Sequence, residues 1–252
     1  MNKMYYNDNA VGIVNHTSVD NQALIGLIER TATSIYIPSG TTSIGSYAFY
    51  DCRSLTSIDM PNGVTTIGYC AFNDCSSLTS IDIPNSVTSI GGSAFMGCSS
   101  LTSCTIGSGV TSIGSYAFMN CSSLTSIDIP NGVTSIGSYT FRSCSSLTSI
   151  VIPDSVTSIS SSAFYNCSGL TSVIIGNGVT SIGGSAFYFC TNLASVTVNA
   201  TTPPTLSNVN AFTNTPIASG TGYIYVPAAS VDVYKQTSGW DTYGTQIMKI
   251  PT

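Results

Sequence analysis

Apolar and polar residues alternate along this chain in a pattern that returns every 23 residues. The second repeat, residues 56–78, reads TSIDMPNGVTTIGYCAFNDCSSL, and the third, residues 79–101, reads TSIDIPNSVTSIGGSAFMGCSSL. The period holds without insertion through seven units over residues 33–193, and a degenerate eighth unit begins at Ala194. A constant period of this length predicts a solenoid in which each repeat forms one coil and buries its apolar residues against the next coil.

Each coil is expected to hold two short β segments and a turn region, as the third repeat illustrates. In its TSIDI segment the alternation predicts a strand with Ile81 and Ile83 inside and the polar residues outside. A turn follows at residues 84–86, where Pro and Asn are typical turn residues. Residues 87–90 predict a second short β segment, and residues 93–101 predict one or two helical or 3₁₀ turns.

The two ends of the chain depart from the repeat and are expected to close the solenoid. Residues 1–19 are polar and irregular, and residues 20–30 predict a short amphipathic helix that caps the first coil. In the tail, Tyr223–Val226 predicts a strand, and a helix is expected to begin near Pro227. We therefore expect an N-terminal segment with a capping helix, a solenoid of seven regular repeats and one degenerate repeat, and a C-terminal cap, at residues 1–32, 33–216 and 217–252.

The spacing LxxIxI followed by IGxxAFxxCxxL resembles the BspA-like leucine-rich repeats of bacterial surface proteins, and the match spans residues 33–216. The resemblance implies an α/β leucine-rich-repeat solenoid, rich in β structure, that winds as a right-handed superhelix. Each coil would then hold a short parallel strand and a helical or 3₁₀ turn. The resemblance also implies that the TSIDI strands line the concave face.

The same resemblance implies a location and a class of partner. Proteins of this family are typically on the cell surface or secreted, and several mediate adherence to host extracellular matrix proteins or to other cells. The sequence begins MNKMYYNDNAVGIVNH, which lacks the basic start and continuous apolar core of a signal peptide, and no wall anchor is visible. The expectation of a cell-surface or secreted bacterial protein therefore comes from the resemblance.

Charge is scarce in this chain, and this narrows the classes of partner. Only 7% of the residues are charged, and the formal net charge is -5, whereas ordinary globular domains carry about 25% charged residues. The six Lys and Arg residues are too few and too scattered to neutralise a nucleic-acid backbone. No stretch approaches the roughly 18 uninterrupted apolar residues of a membrane span. We therefore expect neither a nucleic-acid partner nor membrane insertion.

Seven of the nine cysteines recur at one position of the coil and are expected to form a column inside the solenoid. Side chains in such a column point the same way about 4.8 Å apart, which suits neither a disulfide nor the tetrahedral convergence of a zinc site. Cys104 replaces an isoleucine of the strand core, and at the variable position of Cys70 an exposed, reactive thiol is an alternative. The predicted reduced core thiols of the column are Cys52, Cys75, Cys98, Cys121, Cys144, Cys167 and Cys190.

Few residues could carry catalysis or hold a metal. The one histidine, His16, lies in the irregular N-terminal segment, and the serines recur with the repeat, as structural residues do. Asp59 and Asp82 are expected on adjacent coils, where they could hold a cation through water or stand as two solvated carboxylates. We expect no enzymatic activity, no cofactor and no metal.

The outward fourth residue of the strand changes most in character from coil to coil, so it is the expected source of binding specificity. Serine fills the second position of every strand and offers a repetitive surface. We expect a protein-interaction or adhesion module whose partner is a protein, such as a host extracellular matrix protein or another cell-surface protein. The predicted partner-binding residues on the concave face are Tyr36, Asp59, Asp82, Thr105, Asp128, Val151, Ile174 and Thr197.

Two other functions are open at the level of the sequence. Hydroxyl and aromatic side chains suit sugars, and four tyrosines at neighbouring variable positions favour a carbohydrate-binding surface: Tyr47, Tyr69, Tyr116 and Tyr139. The near identity of the repeats favours a passive spacer, because a selective site normally needs repeats that differ.

Overall fold

Each 23-residue repeat forms one coil of a parallel β-solenoid, as the sequence predicts. The computed structural model describes residues 5–7, 10–12 and 32–251. The repeats and the segment that follows them build about nine coils with few helices. We number the coils from the unit that begins at Thr33.

The strands are numbered in chain order and fall into two columns. Strands β1 (Tyr5–Asn7) and β2 (Ala10–Gly12) come first and pair antiparallel. The long-strand column consists of β3 (Ser34–Tyr36), β5 (Ser57–Asp59), β7 (Ser80–Ile83), β9 (Ser103–Ile106), β11 (Ser126–Ile127), β13 (Ser149–Ile152), β15 (Ser172–Ile175), β17 (Ser195–Val198), β19 (Tyr223–Val226) and β20 (Ile247–Lys249). The short-strand column consists of β4 (Ser43–Ile44), β6 (Thr66–Ile67), β8 (Ser89–Ile90), β10 (Ser112–Ile113), β12 (Ser135–Ile136), β14 (Ser158–Ile159), β16 (Ser181–Ile182) and β18 (Thr205–Leu206).

Equivalent residues of successive coils lie opposite each other in both columns. Cys104 pairs with Ile81 of the preceding coil and with Ile127 of the following coil, which confirms the predicted stacking. The long-strand ladder is interrupted between β5 and β7 and between β11 and β13. The Thr79 amide still donates to the Thr56 carbonyl at 3.2 Å, and the Thr148 amide to the Thr125 carbonyl at 3.4 Å. The register therefore continues across both interruptions.

Phenylalanine rings run through the interior as one continuous stack. Neighbouring ring centroids are 5.0 to 5.6 Å apart, and the planes of neighbouring rings differ by 1° to 18°. Every ring in the stack is fully buried. Isoleucine, valine, leucine and alanine at fixed positions of the coil fill the space around the rings, so each coil completes the core of its neighbour. The stacked residues are Phe49, Phe72, Phe95, Phe118, Phe141, Phe164, Phe187 and Phe212.

The turn region differs from the expected helical or 3₁₀ turn. In coil 4 the backbone passes through the left-handed region at Tyr116 (φ 63°) and again at Asn120 (φ 61°), and this interrupts any helix. The amides of these two residues donate to carbonyls of the next coil, at Ser138 and Arg142. A helix would use such amides within its own turn, whereas here they hold successive coils together. The regular coils therefore turn without a helix.

Strands β1 and β2 correct the expectation that residues 1–19 are irregular. β2 lies parallel to β3, with Val11 opposite Ile35, and β1 adds a further strand outside it. Tyr and Val are residue types that favour strands, and the first coil offers an open edge to pair with. The helix predicted at residues 20–30 lies outside the described residues.

The C-terminal segment continues the long-strand column and covers the last coil. β19 occupies the residues predicted as a strand and pairs with β17, while β20 pairs with β19. The helix expected near Pro227 is also present, as a 3₁₀ turn that leads into α1. The remaining elements are 3₁₀ helices at Val209–Phe212, Ala228–Ser230 and Asp241–Tyr243, and helix α1 at Val231–Gln236.

Three aromatic side chains of this segment satisfy backbone carbonyls of coil 8 and the segment that follows it. The Tyr234 hydroxyl donates to the Ala200 carbonyl at 2.8 Å. The Trp240 indole N–H donates to the Pro204 carbonyl at 2.7 Å. The Tyr243 hydroxyl donates likewise to a carbonyl of the segment after β18. Each ring is buried, so the segment gives apolar cover and hydrogen-bond donors at once.

Candidate partner-binding face

The outward-facing fourth residues of the long strands form one exposed column, which we call the strand face. Ile81 and Ile83 are buried in the core, so Asp82 between them faces solvent, as strand alternation requires. Seven of the eight predicted residues are exposed and Thr197 is half-buried. The column continues through Tyr225 and Met248, which the sequence analysis missed. The alternation in the YIYV segment of β19 is the sequence pattern that would place Tyr225 on the outward side.

The N-terminal half of the strand face is acidic. Tyr36 and Thr105 share this half with the three carboxylates of Asp59, Asp82 and Asp128, all of them exposed. The first five positions of coils 1 to 8 contain no Lys or Arg, so the strands of these coils supply no cation to offset the carboxylates. Within the part of the chain that the structure describes, no group of His, Cys, Asp and Glu side chains has the arrangement of a metal site.

The C-terminal half of the strand face is apolar and aromatic. Val151 lies opposite Ile174, and these side chains are 56% and 42% exposed. The column then passes through Thr197 to Tyr225 and Met248. β-branched side chains in register on an exposed strand leave a contiguous apolar patch in contact with water, and such patches are typical of interaction sites.

A shallow groove of about 450 Å³ runs beside this half of the face, between the ends of the strands and the turns that follow them. Val151 and Ile174 line it together with the carboxylates of Asp128 and Asp154. The backbone amide of Asn177 donates to Asp154 Oδ1 at 2.8 Å, which fixes that carboxylate at the groove wall. A smaller groove of about 320 Å³ lies at the other end of the face, lined by Tyr36, Asp59, Met60 and their neighbours.

The four tyrosines proposed for sugar binding form two separate pairs away from the strand face. Tyr47 and Tyr69 meet edge to face, with centroids 5.4 Å apart. Tyr116 and Tyr139 stack at 4.9 Å. Coil 3 has Ser93 at the position of Tyr116, so the structure does not bring the two pairs together.

The stacked tyrosine pair continues into a cation–π contact that the sequence analysis missed. The Arg142 guanidinium lies 5.5 Å from the ring centroid of Tyr139 and 5.0 Å from that of Tyr165. Its Nε is buried without a hydrogen-bond partner among the described residues. These residues stack on one another, so much of their ring surface is already covered.

The predicted column of core thiols is buried, and its members act as hydrogen-bond donors. From Cys75 to Cys190, each Sγ of the column donates to the backbone carbonyl of a phenylalanine in the preceding coil, at 3.0 to 3.2 Å. Burial raises the pKa of the Cys144 thiol to about 12, because a thiolate there would lose its water. The column is therefore structural.

Cys70 is not the exposed thiol that the sequence left as an alternative. Its side chain is only 6% exposed, and burial raises the pKa of its thiol, which lowers the fraction of reactive thiolate. Cys104 lies in the strand core, as expected. His16 falls outside the described residues.

Comparisons with known proteins identify the repeat. The family described as BspA type Leucine rich repeat region matches residues 28–127 and 111–227, in six copies. No curated protein matches the chain.

Among solved structures, a leucine-rich repeat protein of T. pallidum is 27% identical, with a TM-score of 0.63 over 76% of this chain and 87% of that one. A leucine-rich repeat protein from Eubacterium ventriosum is 21% identical, with a TM-score of 0.46 over 87% of this chain and 74% of that one. One from Bacteroides ovatus is 23% identical, with a TM-score of 0.43 over 99% and 81%. Within residues 5–7, 10–12 and 32–251, no helix has the length and apolar character needed to cross a membrane.

Proposed function

Because the chain belongs to the BspA-type leucine-rich repeat family, we propose that it is a non-catalytic interaction module that binds a protein partner on its strand face. Repeats of this fold are typical of protein-interaction or surface proteins. The proposed contact residues are the fourth residues of the strands, from Tyr36 to Thr197, on the side that the family resemblance makes concave. The same resemblance supports a location on or outside a bacterial cell, with a matrix or surface protein as partner.

The observation that carries this proposal is the exposed pair Val151 and Ile174. Two β-branched side chains stand in register on a solvated sheet, at positions where coils 2, 3 and 5 have aspartate. Exposure of these apolar side chains to water is unfavourable, and a covering protein surface would remove that cost. The stretch from Val151 to Met248 gives a partner a continuous strip to cover.

A carbohydrate ligand is the second candidate, and the tyrosine pairs favour it. Tyr69 is half exposed beside Tyr47, and its ring could lie against the apolar face of a sugar. A passive spacer is the third candidate function, and it requires no ligand at the strand face or at the tyrosine pairs. The three functions differ in which substitutions change binding.

The test compares binding to a panel of extracellular matrix proteins and to a glycan array. In the V151S/I174S double variant, affinity for any matrix protein that binds should fall at least tenfold, because about 1.4 kcal/mol of apolar burial is lost. Val233→Ser is the matched control, since that valine is also about half exposed but lies on helix α1, away from the strand face. This control should bind like the wild type.

The alternatives predict other outcomes. Unchanged affinity in both V151S/I174S and the D59N/D82N variant would reject the strand face and direct attention to the tyrosine pairs. Binding to glycans that is lost on Tyr69→Ala would identify a carbohydrate-binding protein. No binding to either panel would favour the spacer. Thermal unfolding of each variant shows whether it is folded.

A further inference from the structure

We propose that the groove beside Val151 and Ile174 takes a lysine or arginine side chain from an extended segment of the protein partner. The inference rests on the proposed function and adds to it the chemistry of the partner. An apolar floor and two carboxylates lie in one groove, and a long cationic side chain is the residue type that matches both. It has an apolar stem of methylene groups and a charged end.

The floor of the groove suits the stem of such a side chain. Val151 and Ile174 expose their branched ends there, in register on β13 and β15. Lysine and arginine cover apolar surface with their methylene groups while the charged head stays near water. A shallow groove that is open along one side meets this requirement, because the head need not be desolvated.

The carboxylates suit the charged end. Asp128 lies on the strand face at one side of Val151, and Asp154 stands in the turn that follows the same strand. Neither carboxylate forms an ion pair within the part of the chain that the structure describes. The first five positions of coils 1 to 8 lack Lys and Arg, so the strands that adjoin the groove leave this negative charge for a partner to offset.

A glycine in the next coil permits this arrangement. Most coils have proline at the sixth position, but coil 7 has Gly176. A Cβ on Gly176 would stand 2.7 Å from the backbone nitrogen of Asp154 and 2.7 Å from its Oδ1. Because the glycine has no side chain, the two turns approach closely, and the Asp154 carboxylate stays where the Asn177 amide holds it.

The groove at the other end of the strand face provides a natural comparison. It has the single carboxylate of Asp59, and Tyr36 and Met60 replace the two branched residues. Carboxylates that serve as a control for net charge lie outside the strand face: Asp74 in the turn region of coil 2, where coils 4 and 6 have asparagine, and Asp232 on helix α1. Their amide variants separate an effect of the groove from an effect of net charge.

The experiment selects short random peptides displayed on phage against the whole protein. Enriched peptides should contain Lys or Arg next to apolar residues. D128N/D154N should weaken them about tenfold, and D74N/D232N should weaken them less than twofold. Asparagine is the native residue at the position of Asp154 in coils 2, 3, 5 and 7, and in coil 3 Asn85 Oδ1 accepts from the Ser108 amide at 2.8 Å. D154N is therefore expected to fold normally.

The outcomes separate the two proposals. Peptides that need Val151 and Ile174 but lack cationic residues and ignore D128N/D154N would overturn the cation site and leave the strand-face function intact. Equal losses in D128N/D154N and D74N/D232N would show that only net charge matters, which also overturns the cation site. If no enriched peptide depends on V151S/I174S or on D128N/D154N, both proposals are wrong.

Discussion

The phenylalanine stack inside the solenoid and the fourth-residue column on the strand face run through the same coils, but only the first repeats one residue type. From Phe72 to Phe187 every ring is buried between two others. On the strand face the residue changes from Tyr36 through three aspartates to Val151 and Ile174. Each ring is the packing surface of the next, so a different residue would create a gap or an overlap in two coils.

This difference shows that the fold restricts the residue types of the buried columns but not those of the strand face. The buried columns use both the shape and the hydrogen-bonding groups of the neighbouring coil, as the Cys121 thiol does when it donates to the Phe95 carbonyl. A fourth residue such as Asp82 has no such neighbour to match. Variation there costs the fold little, and the chain can change its surface without disturbing its interior.

The largest expected effect is the loss of stability at alkaline pH, which arises from the buried thiols of the core and not from the strand face. Besides that of Cys70, burial raises the pKa values of six core thiols far above the value of about 8.5 that a cysteine has in the unfolded chain. Above about pH 8.5 the unfolded state therefore binds fewer protons, and the free energy of unfolding falls by about 1.4 kcal/mol per pH unit for each thiol. The six are Cys75, Cys98, Cys104, Cys121, Cys144 and Cys167.

The pH window runs upward from about 8.5, and the loss continues towards pH 12, where the Cys144 thiol itself ionises in the folded protein. Six thiols together lower stability by about 8 kcal/mol per pH unit, so the protein should unfold before about pH 11. Urea denaturation in a reducing buffer at a series of pH values measures this. Cys121→Ala should reduce the slope by about 1.4 kcal/mol per pH unit. Constant stability to pH 10 would mean that the thiols are accessible in the folded state.

The next effect compares two aromatic residues of coil 4, one inside and one outside. Phe118→Ala removes a ring that stacks on Phe95 at 5.3 Å and on Phe141 at 5.6 Å, and should cost about 3 to 5 kcal/mol. Tyr116→Ala removes a partly exposed ring and should cost about 1 kcal/mol. Both values are read from urea denaturation. Equal losses of unfolding free energy in the two variants would contradict the conclusion that the fold depends on the buried ring more than on the surface ring.

The smallest effect is expected from Thr41→Val, which replaces the one residue of coil 1 that departs from the valine found at this core position in the next six coils. Coils 2 to 7 have valine at the position of Thr41, whose buried hydroxyl has no hydrogen-bond partner among the described residues. Thr41→Val should stabilise the protein by about 1 to 2 kcal/mol, because an unsatisfied polar group is replaced by a methyl group of similar size. Differential scanning calorimetry would measure the change.

Thr215→Val is the matched control for that substitution. The Thr215 hydroxyl is also buried, but it donates to the Phe212 carbonyl at 2.6 Å and accepts from the Ala218 amide. The same change should therefore destabilise the protein by about 1 to 2 kcal/mol. Stabilisation by both substitutions would show that valine is favoured for apolar burial alone.

The sequence predicts the coils and the exposed side of the strands because both depend on spacing. The 23-residue period brings equivalent residues together, and alternation in SIDI places Asp82 outside. Tyr225 and Met248 escape this reasoning, because the register is lost near Pro203 and one residue is inserted before Thr205 pairs with Ser181. Their place on the strand face depends on tertiary pairing.

The turn region could not be predicted because its conformation is set by the next coil. Tyr116 and Cys70 adopt positive φ values that their residue types rarely take. The cost of that conformation is offset by hydrogen bonds to a neighbouring coil. Local residue propensities cannot predict these bonds, because the acceptors lie in another repeat. The apolar spacing at residues 93–101 suits a helical turn equally well, and this is why the sequence favours one.

The hydrogen bonds from each turn to the following coil give the protein an order of assembly during translation. The amides of Tyr116 and Asn120 find their acceptors, at Ser138 and Arg142, only in the coil that the ribosome makes next. The newest coil therefore stays incomplete until about 23 further residues have emerged, and folding proceeds one coil behind elongation. The segment after β18 ends this succession, because its Ala211 and Thr213 carbonyls accept from the Phe187 and Phe189 amides of the last regular coil.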